Sequence, residues 1–225
     1  MLLDILIVLG VALEAYLLGS VDTGILVSNL VYHDDVRRHG SGAAGMTNML
    51  RTFGKKAAAM TAAGDVLKGV IAVCIGRWLF TFLSGDVFSQ YLGVYLAAIL
   101  AVIGHLKPIY FGFKGGKGVL VAGGAILAVQ PVLLPFLVVI FLICLIPTGM
   151  VSLGSITMAV CYPFLTLGYG LIMGLPTRDL VVTTVGAAIM GGMIFYMHRS
   201  NLQRILEGKE YRFGRKGKDG SGKEK

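Results

Sequence analysis

Seven apolar runs, separated by short polar or glycine-rich segments, constrain this chain more than any other feature of its sequence. They cover about 2–32, 57–83, 91–103, 119–129, 132–146, 151–173 and 180–198. A bilayer core about 30 Å thick takes roughly 20 mainly apolar residues per helix, and fewer where a helix is packed inside a bundle. Hydrophobic side chains make up 56% of the 225 residues and charged ones only 14%, where a soluble domain averages about 25% charged. A chain of this size cannot hide so much apolar surface in a soluble core, and it is too apolar to be disordered. The expected fold class is an all-α integral membrane protein with seven transmembrane helices.

The runs are unequal. The first is long and interrupted by glycine; it lacks a basic start and contains Asp4 and Glu14, so it does not read as a signal peptide. The third, fourth and fifth are short for isolated spans. Gln130 and Pro131 separate the fourth from the fifth, either as a tight turn or as a bend in one kinked helix. Cys74, Cys144 and Cys161 lie in apolar runs away from any metal-ligand spacing and read as packing residues.

Lysine and arginine set the orientation, because short cytoplasmic loops are enriched in them. Segment 33–56 carries Arg37, Arg38, Arg51, Lys55 and Lys56; segment 104–118 carries Lys107, Lys114 and Lys117; the stretch after His198 carries nine more. Segments 84–90 and 130–131 carry none, and 174–179 only Arg178. With seven spans, every strongly basic segment falls on one face, with the N-terminus outside and the C-terminus cytoplasmic. Merging two spans would split those segments between faces. Residues 1–213 read as a single multi-span membrane domain. Residues 214–225, rich in Gly and Lys, read as a disordered basic cytoplasmic tail suited to anionic lipid. This arrangement also accounts for the net charge of +8 on so apolar a chain.

The basic segments hold the residues with chemistry. In the first, Gly40, Gly42 and Gly45 surround Ser41 and precede Thr47, Asn48 and Arg51. Glycines let backbone N–H groups turn toward a ligand, and arginine offers a forked cation suited to phosphate. The bland reading is a flexible basic loop. In the second, Gly115, Gly116, Lys117 and Gly118 stand where an apolar helix begins, offering amide donors and the positive end of a helix dipole to an anion. This is not a nucleotide-binding P-loop, because Phe111 and Gly118 occupy positions that need Gly and Ser or Thr. Its bland reading is a re-entrant turn with a snorkelling lysine. The third holds Asn201, Arg204, Gly208 and Glu210 just after His198, and reads equally as an amphipathic interfacial helix.

Asp65 and Lys68 share a helix face inside the second run, as a structural ion pair or as working charges. Ser152 and Ser155 open the sixth run, where serines are ordinary caps. His105 and His198 end their runs. No histidine is followed five residues later by Asp, and no Gly-x-Ser-x-Gly elbow or metal cluster occurs in the sequence. Covalent nucleophilic catalysis therefore has no candidate.

Taken together, the three segments resemble the integral-membrane acyl-phosphate:glycerol-3-phosphate acyltransferases of bacteria, the PlsY family, over residues about 16–213. The family's GSGNxGxTNxxR appears as Gly40-Ser41-Gly42-Ala43-Ala44-Gly45-Met46-Thr47-Asn48-Met49-Leu50-Arg51. Its D-x-x-K-G runs from Asp65 to Gly69, its GGKGV from Gly115 to Val119, and its NxxRxxxGxE takes in Asn201, Arg204, Gly208 and Glu210. Ala43 stands where the family has Asn, and Asp22 follows Gly19-Ser20-Val21 where the family has Pro.

The resemblance implies transfer of a fatty acyl group from acyl phosphate to the 1-hydroxyl of glycerol 3-phosphate, giving lysophosphatidic acid and phosphate. It implies a bacterial cell membrane location with the active site on the cytoplasmic side. By the same resemblance Ser41, Arg51, Lys117 and His198 are expected to be catalytic. Gly40, Gly42, Thr47, Asn48, Asp65, Lys68, Gly115, Gly116, Gly118, Ser155, Asn201, Arg204 and Glu210 are expected to bind substrate. The expected partners are fatty acyl phosphate, glycerol 3-phosphate and membrane lipid; no cofactor, metal or nucleic acid is expected. A transporter for an anionic phosphorylated metabolite is the competing reading, favoured by the intramembrane charges and broken helices.

Overall fold

The computed structural model describes residues 2–83 and 90–213, so the basic tail at 214–225 lies outside the described residues. Among the described residues, ten α-helices and two short 3-10 turns make up the regular structure. They are α1 (Leu2–Ser20), α2 (Thr23–Val31), α3 (Met46–Phe53), α4 (Lys55–Phe80), α5 (Gln90–Leu106), α6 (Val119–Val129), α7 (Leu133–Thr148), α8 (Val151–Ile172), α9 (Thr177–Met197) and α10 (Arg199–Leu206).

Each predicted apolar run is helical, with two differences from expectation. The first run is two helices, not one. Asp22 takes an extended backbone, and its Oδ1 accepts the Ile25 N–H at 3.1 Å, so it caps α2 and ends the passage from α1. The second difference is length. Among the described residues, five segments are long and apolar enough to cross a membrane, with α1 and α2 counted together. At 11 and 16 residues, α6 and α7 reach only about 16 and 24 Å. The structure also separates α6 from α7, since Gln130 N–H closes α6 on Ile126 and Leu133 N–H opens the next turn on Gln130.

Many large apolar side chains face outward, and alanines are prominent among the fully buried residues. Ile146 is 77% exposed and Ile172 85%, whereas Ala15, Ala97, Ala98, Ala101 and Ala187 are fully buried. In lipid, association rests on close backbone packing rather than on burial of bulky side chains. Thus α1 crosses α5 at Gly19, where a Cβ would lie 2.1 Å from the Ala101 carbonyl oxygen. α4 crosses α6 the same way: a Cβ at Gly124 would lie 2.1 Å from the Val66 carbonyl oxygen. Gly124→Ala should therefore destabilise the protein by about 1–3 kcal/mol, the usual cost of overpacking. Thermal unfolding in detergent checks this; an unchanged midpoint would contradict the crossing.

A smaller core of Ile25, Val36, Ala44, Met49 and Ala57 lies beneath α2, α3 and the start of α4. It anchors the first glycine-rich segment to the bundle and so positions one wall of the site.

Candidate active site

The first wall is a clasped turn. Asn48 is buried; its Nδ2 donates to the Val36 and His39 carbonyls at 3.1 and 2.9 Å, and its Oδ1 accepts the Ser41 N–H at 3.1 Å. Gly40 has φ +54°, and a Cβ there would lie 2.2 Å from Asn48 Oδ1, so both backbone and space require glycine. The side chain of Asn48 shapes the turn and has no donor left for a ligand. Gly42 gives its N–H to the His39 carbonyl, at the far side of the turn.

The second wall is the turn before α6, laid against His105. Gly116 N–H donates to the His105 carbonyl at 3.2 Å. A Cβ at Gly115 would meet that carbonyl oxygen at 2.0 Å, and one at Gly116 would meet His105 Nε2 at 2.3 Å. These glycines are required for packing, and the Gly116 amide is already committed. Gly118 has φ +80° and opens α6, whose first amides have no partner within the helix. Arg37 joins the two walls: it pairs with Asp35 at 2.7 Å and donates to the Phe111 and Lys114 carbonyls.

Behind His105 sits a buried charge cluster. Lys68 Nζ donates to the Val21 carbonyl at 2.8 Å and to His105 Nδ1 at 3.0 Å, and lies 3.0 Å from Asp65 Oδ1. An ammonium only donates, so His105 Nδ1 accepts and the ring proton is on Nε2. The expected substrate role of Lys68 does not fit this placement, because its charge faces into the bundle.

The third wall is the C-terminal segment, organised by Glu210. Its Oε1 accepts from Ser152 Oγ at 2.8 Å and Asn201 Nδ2 at 2.7 Å, while its Oε2 accepts from Arg204 Nε at 2.8 Å. Burial alone would raise the Glu210 carboxyl; those three hydrogen bonds outweigh it and hold the group below its ordinary value. Asn201 Oδ1 in turn accepts from Lys117 Nζ, so Glu210 and Asn201 fix the lysine head.

The three walls enclose a cavity of about 1260 Å³. Ser41, Arg51, Lys117 and His198 all line it, as do Gly40, Thr47, Asn48, Asp65, Gly118, Ser155, Asn201, Arg204 and Glu210. Gly42, Lys68, Gly115 and Gly116 are not among the lining residues. His105, Phe141 and Tyr211 also line it, and no pattern in the sequence singled them out for that place. Val119, Leu120, Phe141 and Val151 form an apolar side.

The electrostatics favour an anion. Burial pushes the Lys117 ammonium down to about 8, helped by Arg204 and Arg51 and opposed by Glu210. His198 donates from Nδ1 to the Ile194 carbonyl at 2.8 Å, leaving Nε2 as the unprotonated nitrogen. Burial pushes that imidazole down to about 4, so it is neutral at neutral pH. Arg51 lies with its guanidinium carbon 4.0 Å from the Tyr211 ring centroid.

A cationic, helix-capped cavity with one apolar side suits a ligand that carries both phosphate and hydrocarbon. The sequence model of glycerol-3-phosphate acyltransferases matches residues 9–208. The chain belongs to the glycerol-3-phosphate acyltransferase family. A glycerol-3-phosphate acyltransferase of Clostridioides difficile is 41% identical over 92% of this chain and 95% of its own length. One of Syntrophomonas wolfei is 39% identical over 87% and 91%. Crystal structures of PlsY, an integral membrane glycerol 3-phosphate acyltransferase, share the fold. The glycerol 3-phosphate form is 34% identical with a TM-score of 0.77, over 92% of this chain and 96% of that one. The lysophosphatidic acid form gives 33% and 0.76, over 92% and 95%. The resemblance drawn from the three sequence segments is thus a family relationship, and it extends over the whole helical body.

Proposed function

We propose that this family member transfers a fatty acyl group from acyl phosphate to the 1-hydroxyl of glycerol 3-phosphate, at the cytoplasmic face of the bacterial cell membrane. The observation that carries the reading is the gathering of Arg51, Lys117 and Arg204 with the start of α6 around one cavity. Two phosphates must be held there at once, one leaving and one belonging to the acceptor. The relatives' names and the two PlsY ligand forms supply the acceptor and product classes. The cytoplasmic assignment rests on the basic residues of the same three segments that build the cavity, with the N-terminus outside. A transporter would place its site near the bilayer midplane; here most of the polar groups gather at helix ends and in loops.

An acyl phosphate is a mixed anhydride and needs no covalent enzyme intermediate. The acceptor oxygen attacks the acyl carbon, the carbon–oxygen bond to phosphate breaks, and the hydroxyl proton ends on the departing phosphate. Lys117 neutralises charge growing on that leaving group, in a geometry set by Asn201 and Glu210. Arg51 holds the acceptor phosphate and the Ser41 hydroxyl adds a donor. His198, neutral and weakly basic, orients a substrate through Nε2 and is a poorer proton acceptor than phosphate. Asn201 holds Lys117 through Oδ1 and Glu210 through one Nδ2–H, which leaves its second N–H for a substrate.

The lysine sets a pH dependence. Its charged form is present below about 8 and is lost as pH rises through that value. For acyl phosphate, kcat/KM should fall about tenfold per pH unit above about 8. Initial rates across pH check this, and Lys117→Arg should abolish that limb. An unchanged limb in Lys117→Arg would assign it to another group.

A further inference from the structure

Arg51 differs from the other cations of the cavity in what holds it. Lys117 is bonded to Asn201, and Arg204 to Glu210. Among the described residues the Arg51 side chain has no hydrogen bond or ion pair; it is exposed and lies over the ring of Tyr211. That ring is fixed from both sides. Glu210 before it accepts three hydrogen bonds, and Phe213 after it donates its N–H to the Gly149 carbonyl at 2.7 Å. The Phe213 ring meets the Tyr211 ring edge-on at 5.4 Å. The segment is therefore strapped across the cavity, from α10 to the turn between α7 and α8.

An aromatic face holds a guanidinium without taking its N–H donors, whereas a carboxylate would take the donors that a phosphate needs. We propose that Tyr211 is a positioning residue for the acyl transfer, presenting Arg51 to the phosphate of the acceptor with its hydrogen-bond donors free. Tyr211 falls just past the third signature, so nothing in the family pattern assigns it. The inference rests on Arg51 holding the acceptor phosphate, and the experiment separates the two.

Steady-state kinetics with glycerol 3-phosphate varied would compare Tyr211→Phe, Tyr211→Leu, Arg51→Ala and the Arg51→Ala/Tyr211→Leu double variant. Loss of an exposed cation–π contact predicts a KM raised about two- to five-fold in Tyr211→Leu with kcat unchanged. Tyr211→Phe keeps the ring and should behave as wild type. In the Arg51→Ala background, Tyr211→Leu should add nothing. A wild-type KM in Tyr211→Leu beside a raised one in Arg51→Ala would overturn the role of Tyr211 alone. So would equal impairment of the Phe and Leu variants, or effects that multiply in the double variant. A wild-type KM in Arg51→Ala would remove the phosphate role of Arg51, and the proposal with it.

Discussion

Lys117→Ala is expected to lower kcat about 10²- to 10³-fold, the range seen when one preorganised charge stabiliser is removed from a transition state. The lysine is the most constrained cation of the cavity: its head bonds Asn201, and it follows a glycine pair that only fits flush against His105. Such positioning costs nothing at the moment of reaction, which is why the loss should appear in kcat. The KM for glycerol 3-phosphate should move little, because the ammonium is assigned to the leaving phosphate. Steady-state kinetics with both substrates varied would decide it. An unchanged kcat with a raised KM for glycerol 3-phosphate would make Lys117 an acceptor ligand instead.

Arg51→Ala should have the opposite signature. Arg51 is exposed to solvent, so the forked contact as a whole should contribute about 1.5–3 kcal/mol, the value of one charge-assisted hydrogen bond, and its loss should raise the KM for glycerol 3-phosphate roughly 10- to 100-fold. The guanidinium sits at the rim, over Tyr211, and Arg51→Lys should recover only part of the loss because an ammonium cannot make the bidentate contact. A kcat defect without a KM change would contradict the division of labour between Arg51 and Lys117. The two substitutions together thus locate the two phosphates.

Helix positions were legible in the sequence because apolar runs of this length have few other solutions: the run at 119–129 is α6, and that at 151–173 is α8 to within a residue. The break at Asp22 was not, since one buried carboxylate capping α2 leaves the hydropathy unchanged. Nor was α3, whose residues Met46–Phe53 mix polar and apolar side chains over only two turns. At the site, residue types were legible and their commitments were not. Asn48 and Lys68 are residue types that suit ligand contact, but the fold supplies their partners. Lys68 meets residues 47 and 37 positions away, at Val21 and His105. No local pattern encodes such partners. The contact of Tyr211 with Arg51 is likewise encoded in no local pattern.

The donor decides the chemistry. Purified protein in detergent, given glycerol 3-phosphate with either a fatty acyl phosphate or the matching acyl-CoA, should form lysophosphatidic acid and phosphate in equal amounts from the acyl phosphate alone. Product from acyl-CoA only, or from neither donor, would contradict the acyl-phosphate mechanism proposed for this cavity.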